Sequence, residues 1–140
     1  MPNNVVVSTA FLTAALDEMY MYGSMYLKLF AADYTPAADQ EPGDFTEAAG
    51  GGYAHKAVES TTDFTQEYAN TPPDIIMAEQ TFTFTGVLTT NPTVYGWFLI
   101  SEDLSLVVAA KELDTPYTPA SGGGTLVFTP RIQAGNGTPA

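Results

Sequence analysis

The sequence predicts a mainly β (α+β) protein with an antiparallel sheet or small β-sandwich and one N-terminal helix. The stretch Thr81-Phe82-Thr83-Phe84-Thr85 alternates with period two, which places both phenylalanines on one face of a strand. Thr93 to Ile100 is rich in aromatic and branched residues. The turn Ser101-Glu102-Asp103 separates it from Leu104 to Ala110, a run apolar enough to be a strand buried on both faces.

A single good helical signal lies near the N-terminus. Its apolar residues recur at the spacing of one helix face, and they are Phe11, Leu12, Ala15, Leu16 and Met19. Ser8 or Thr9 can cap its start. We expect a helix over about residues 9–20, preceded by a short strand or arm at Val5-Val6-Val7.

Further segments complete the expected sheet. Met25 to Phe30 and Leu126 to Thr129 are predicted strands, the latter the last in the chain, and Tyr53 to Val58 is a further candidate. Residues 33–52 have the composition of a long surface loop with a short ordered piece around Phe45. We expect one structural domain over residues 1–133 and a mobile tail over 134–140.

Composition excludes several classes of protein. Sixteen acidic residues against four basic ones give a net charge of −12, which would repel nucleic acids and anionic membranes. The chain has no cysteine, so disulfides and thiolate metal sites are excluded. No apolar run reaches the roughly 20 residues of a transmembrane helix. The start of the chain has no basic segment of a secretory signal, so we expect synthesis in the cytoplasm.

Residues that could carry chemistry are few. His55 is the only histidine, and without a G-x-S-x-G elbow it is best interpreted as a surface or edge residue. Four carboxylates could bind calcium or act as a glycosidase pair, although a solvated loop is favoured; they are Asp39, Glu41, Asp44 and Glu47. The two triple-glycine runs predict flexible or tightly turned backbone.

Aromatic residues offer one further alternative. Period two places Tyr95 and Trp97 on one face of their strand and Phe98 on the other. An exposed pair could stack on a sugar, as in a tail or fibre module that binds a host glycan, but core packing is the favoured interpretation. Met21 and Tyr22 belong to an adaptable apolar stretch suited to protein contacts.

Three groups of segments, taken in order, carry a family resemblance. They are Leu27 to Phe30 with Tyr34-Thr35-Pro36, Asp44 to Ala48 and Gly52-Tyr53-Ala54; then Thr93 to Phe98; then Leu106 to Glu112 with Gly122 to Leu126 and Thr129-Pro130. In this order they resemble a group of small structural proteins of tailed bacteriophages and prophages, over about residues 5 to 133. The chain departs from that pattern at Ala48 to Gly52, where an Ala-Gly run replaces a more apolar spacer.

The residues themselves favour a non-enzymatic protein, and the resemblance implies a structural role in the virion without a cofactor. The resemblance fits head and tail alike, and we expect a position on the capsid surface. Its implied partners are the major capsid protein and neighbouring copies of itself, with a homo-oligomer possible. The residues proposed for these contacts lie in the arm, the helix end and the Pro-rich loop, and they are Val5, Val6, Val7, Met21, Tyr22, Tyr34 and Pro36. A hydrolase that uses Glu41 or Asp44 is the least favoured alternative.

Overall fold

A computed structural model of the 140-residue chain describes residues 24–37, 39–59, 63–67, 74–101 and 107–133. The predicted helix over about residues 9–20, the Val5-Val6-Val7 arm and the 134–140 tail lie outside these residues. Within them the protein is mainly β with antiparallel pairing, which confirms the predicted class. The strands fall into two compact units, and the single domain over 1–133 stays a prediction.

Three sheets contain the strands of the described residues. The strands are β1 Ser24–Phe30, β2 Lys56–Glu59, β3 Phe64–Glu67, β4 Asp74–Met77, β5 Gln80–Phe84, β6 Val94–Ser101, β7 Val107–Tyr117, β8 Gly124–Phe128 and β9 Arg131–Gln133. One sheet has the order β2-β1-β6-β7, a second has β3-β4-β9, and a third pairs β5 with β8. The first unit contains residues 24–58 and 81–128, and therefore the four-stranded sheet except for Glu59 at the end of β2.

One face of the four-stranded sheet is apolar and fully enclosed. On the antiparallel strands β1 and β6, Leu27 lies opposite Leu99 and Leu29 lies opposite Trp97. All four side chains are buried, the three leucines completely. Since burying one leucine contributes about 1.5–3 kcal/mol, this face is a major source of stability.

The strands β5 and β8 supply aromatic rings to the same core. Phe82 and Phe84 are both buried while Thr81 and Thr83 are exposed, which confirms the predicted alternation. Phe128 stacks between Phe82 and Trp97, with ring centroids 5.9 and 6.3 Å away. These parallel contacts join the two-stranded ribbon to β6, and such aromatic pairs are worth about 0.5–1.5 kcal/mol beyond burial.

The opposite face of the sheet has a cluster of its own, formed by Phe30, Phe45 and Phe98. The 3₁₀ turn Pro42–Asp44 leads directly into Phe45, whose ring stacks on Phe98 at 4.4 Å between centroids. The short ordered piece predicted around Phe45 is therefore confirmed, and it closes this face of the sheet. Tyr34 and Tyr95 pack against the cluster and are half-buried.

Three expectations about individual strands are wrong. Tyr95 packs with the Phe98 cluster and not beside Trp97, because a register shift between Val94 and Gly96 interrupts the alternation of β6. Val107 to Ala110 is half-buried and not enclosed on both faces, because β7 ends the sheet order. The strand β8 is not the last in the chain, since β9 follows it.

The second unit is built around β4, which pairs antiparallel with β3 and with β9. The backbone amide of Met77 donates to the carbonyl of Pro130 at 2.9 Å, and the amide of Ala78 donates to that of Asp63 at 3.0 Å. The Met77 side chain is buried. These bonds continue the pairing of β4 beyond its last residue.

The triple-glycine run Gly50 to Gly52 is a tight turn fixed against the loop that follows β5. All three residues have positive φ, at 81°, 59° and 78°. The amide of Thr85 donates to the carbonyl of Gly51 at 2.8 Å, and that of Thr89 donates to Ala49 at 2.7 Å. A Cβ on Gly51 would lie 2.5 Å from the backbone oxygen of Gly86. Of the two predicted alternatives, the tightly turned backbone is the correct one.

Gly51→Ala is therefore expected to destabilise the protein by at least about 2 kcal/mol, since left-handed backbone costs an alanine about 1–2 kcal/mol before the backbone clash is added. Gly43→Ala is the matched control, because no atom lies within 4 Å of a Cβ there. It should change stability by less than about 0.5 kcal/mol. Urea unfolding checks both variants, and equal midpoints would contradict the fixed turn.

Candidate functional site

The outer edge of β1 is closed by the segment that leads from Phe45 to β2. The amide of Ala31 donates to the carbonyl of Thr46 at 2.8 Å, and the amide of Ala48 donates to that of Leu29 at 2.9 Å. Between them, Phe30 and Glu47 form an isolated antiparallel bridge. This pairing places the Glu47 side chain beside β1.

A tyrosine hydroxyl completes the hydrogen bonding of this edge. The Leu29 amide donates to the Tyr53 hydroxyl at 3.1 Å, and that hydroxyl donates to Oε2 of Glu47 at 2.9 Å. The Tyr53 ring also stacks on Phe82, with centroids 6.1 Å apart. One side chain therefore satisfies a strand amide, orients a carboxylate and joins the aromatic core.

Two nitrogen-bearing side chains, Lys28 and His55, approach the same carboxylate. Lys28 Nζ lies 3.2 Å from Glu47 Oε1, and His55 Nδ1 lies 3.7 Å from Oε2. The His55 side chain is 47% exposed, which agrees with the predicted surface or edge position, and its ring meets Tyr26 edge-on. Exposed ion pairs contribute about 0–1 kcal/mol, so the Tyr53 hydrogen bonds carry more of the cluster's stability.

The environment of Tyr53 opposes its ionisation. Burial raises the pKa of the phenol well above its ordinary value, and the hydrogen bond from the Leu29 amide acts in the opposite direction. The negative charge of Glu47, and the hydrogen bond that the phenol donates to it, raise the pKa further. Tyr53 is therefore a neutral hydrogen-bond donor at physiological pH.

The four residues Lys28, Glu47, Tyr53 and His55, called here the Glu47 cluster, include side-chain types used in acid–base catalysis. However, the Tyr53 hydroxyl uses its donor on Glu47 and an acceptor site on Leu29. The geometry therefore serves to hold the segment after Phe45 against β1.

The aromatic residues considered for sugar stacking lie within packing clusters. Trp97 is 4% exposed and stacks on Phe128. Tyr95 is half-buried against the cluster of Phe30, Phe45 and Phe98. In the described part of the chain, the pair that the sequence suggested does not form a common exposed platform.

The acidic loop does not converge on one point. Glu47 faces Lys28 and Tyr53, whereas Oδ2 of Asp44 accepts a hydrogen bond from the backbone amide of Glu41 at 2.8 Å. Asp39, Glu41 and Asp44 are exposed. No group of three or more His, Cys, Asp or Glu residues suited to a metal ion occurs among the residues described.

Two of the proposed contact residues, Tyr34 and Pro36, lie within the described residues, and the other five do not. Val5, Val6, Val7, Met21 and Tyr22 lie outside the described residues. Tyr34 meets Phe45 edge-on at 4.9 Å, and Pro36 is half-buried two residues further on. Burial raises the pKa of Tyr34, and the charges of Asp44 and Asp39 add to this. The role of Tyr34 and Pro36 in binding stays a prediction.

Glu112 is a residue that the sequence did not single out. Its Oε1 atom is buried and has no hydrogen-bond partner. Among the side-chain nitrogen and oxygen atoms of the described residues, it is the only one in this situation. The residue lies on β7 opposite Gly96. The available signal was the charged pair Lys111-Glu112 after the apolar run of β7, and that signal is also typical of an ordinary edge strand.

Comparisons with protein-family models, with curated proteins and with solved structures found no match to this chain. Over the described residues, no helix is long and apolar enough to cross a membrane.

Tyr53→Phe should lower the free energy of unfolding by about 1–3 kcal/mol, because the Leu29 amide loses its acceptor and Glu47 loses a donor. The control is Tyr95→Phe, whose hydroxyl makes no hydrogen bond within the described part of the chain. Chemical denaturation at neutral pH compares them. Equal losses would show that the Tyr53 hydroxyl does not secure the edge of β1.

Alkaline pH should weaken the fold through the same phenol. The folded-state pKa of Tyr53 is raised, so its contribution is fully present below the unfolded value of about 10 and is lost as the pH rises above it. Urea midpoints measured from about pH 8 to 11 should fall at the alkaline end. The fall should be smaller in Tyr53→Phe than in wild type, with Tyr34 supplying a residual slope. Identical slopes in the two proteins would refute this assignment.

Proposed function

We propose that this chain is a structural protein of a tailed-phage virion, which decorates or cements the head shell through protein–protein contacts. Its partners would be the major capsid protein and neighbouring copies of itself, on the capsid surface. The observation that carries the proposal is the ordered set of segments that resembles small phage structural proteins.

The positions of those segments in the fold support the proposal. Leu27 to Phe30 lies in β1, Thr93 to Phe98 overlaps β6, and Val107 to Glu112 lies in β7. These three strands are consecutive neighbours in one sheet. The strand pieces of the resemblance therefore lie together in one hydrogen-bonded sheet, while its other pieces, such as Tyr34-Thr35-Pro36 and Gly52-Tyr53-Ala54, lie in loops.

Charge and side-chain use are consistent with this role. A net charge of −12 suits the outside of a DNA-filled shell, where the protein does not face phosphates. The Glu47 cluster uses its polar atoms within the fold. A lattice role also suits a small domain, because many weak contacts repeated over a shell give strong attachment.

The two alternatives lack a supporting observation. The glycan-binding module depends on exposed Tyr95 and Trp97, and these residues pack in two different aromatic clusters. The hydrolase depends on Glu41 and Asp44, which are exposed and joined by a hydrogen bond within their own turn.

Purified particles of the parent phage test the proposal. Quantitative mass spectrometry should give a copy number close to that of the major capsid protein or a simple fraction of it. Shells that lack the protein should lose their DNA at a lower temperature, and adding the purified protein should restore the original value. A few copies per particle would assign the protein to the tail or a vertex, and complete absence would reject a virion role.

A further inference from the structure

The strand β7 presents an open edge in the part of the chain that the structure describes. It is the last strand in the order β2-β1-β6-β7, and the other end of that order is the short strand β2. Residues 113–116 bulge away from β6, since the pairing moves from Gly96–Glu112 directly to Val94–Tyr117. Open edges can accept an extended segment of another protein, with backbone hydrogen bonds supplying affinity.

Glu112 lies where this bulge begins. The register places Phe30, Gly96 and Glu112 side by side across three strands. Ala110 is two residues earlier on β7 and packs against the cluster of Phe30, Phe45 and Phe98. Because strand side chains alternate, Glu112 extends from the same face as this aromatic cluster.

One oxygen of the Glu112 carboxylate is buried without a hydrogen-bond donor, which is energetically unfavourable. Oε1 is buried without a hydrogen bond, although the residue as a whole keeps intermediate exposure. Burying a carboxylate oxygen without a donor costs stability, so the fold gains nothing from this group as it stands. A ligand that supplies N–H donors and positive charge would remove that cost.

We propose that the β7 edge binds an extended segment of another protein through an arginine or lysine whose cation pairs with Glu112. A guanidinium can offer two parallel N–H donors to the carboxylate. Tyr95, which directly precedes Gly96, and Tyr34 are half-buried members of the cluster on the same face, and such rings attract cations. The residue keeps intermediate exposure and lies where the regular pairing of β7 with β6 stops, so a side chain can approach it from solvent.

The composition favours a different protein over a second copy of this chain. The chain has four basic residues in all. Lys28 is paired with Glu47, Lys56 lies over the Phe82 ring, and Lys111 and Arg131 lie on β7 and β9. The net charge of −12 also repels another copy and attracts a basic partner. The inference does not depend on the virion role, because the isolated protein can be tested directly.

Calorimetric titration of the full chain with the peptide acetyl-Val-Arg-Val-amide tests the proposal. We expect binding in the millimolar range, weakened about tenfold or more by Glu112→Gln. Asp114→Asn is the matched control, because it removes the same charge from an exposed position on the bulge. It should weaken binding less than about threefold. Acetyl-Val-Gln-Val-amide should bind wild type as weakly as the arginine peptide binds Glu112→Gln.

Thermal unfolding without peptide gives a second readout. Glu112→Gln should unfold at the same temperature as wild type or higher, because Oε1 of Glu112 makes no hydrogen bond that the substitution would remove. A lower unfolding temperature would mean that Glu112 stabilises the free fold, and would overturn the proposal. Equal affinity for the two peptides, equal losses in the two variants, or no binding to wild type would overturn it as well.

Discussion

The four-stranded sheet depends on how the outer edge of β1 is completed. The segment after Phe45 pairs with β1 on either side of Phe30, and the Leu29 amide is satisfied by the hydroxyl of Tyr53. That hydroxyl in turn donates to Glu47, which also pairs with Lys28. The contacts are mutually dependent: the Glu47 bridge positions the carboxylate that orients the phenol, and the phenol holds the segment against the strand.

The two ends of the sheet are consequently different. The β1 side is covered by the segment carrying Glu47 and by β2, while both faces of the central strands pack against aromatic clusters. At the other end, β7 has no further strand beside it in the described part of the chain, and its pairing with β6 is interrupted at residues 113–116. A protein that works by contact with other chains would use this open end, and Glu112 lies there with an unpaired carboxylate oxygen.

Apolar and aromatic runs were sufficient to predict β1 and β6, and alternation predicted β5 and placed Phe82 and Phe84 in the core correctly. It failed at Tyr95, because a register shift depends on the pairing with β7 and not on the local pattern. The hydrogen bond from Leu29 to Tyr53 joins residues 24 positions apart, and the exposure of β7 follows from strand order. Neither property is encoded within a single segment, so neither could be predicted.

Amide hydrogen exchange on the free protein tests most directly whether one side of the sheet is closed and the other open. The Leu29 amide should exchange far more slowly than alternate amides of Val107 to Glu112, because it is bonded to a half-buried phenol while outward amides of an edge strand face water. If Leu29 exchanged as fast as the outward amides of β7, the Tyr53 hydroxyl would not be closing the edge of β1. The proposed difference between the two sides would then be wrong.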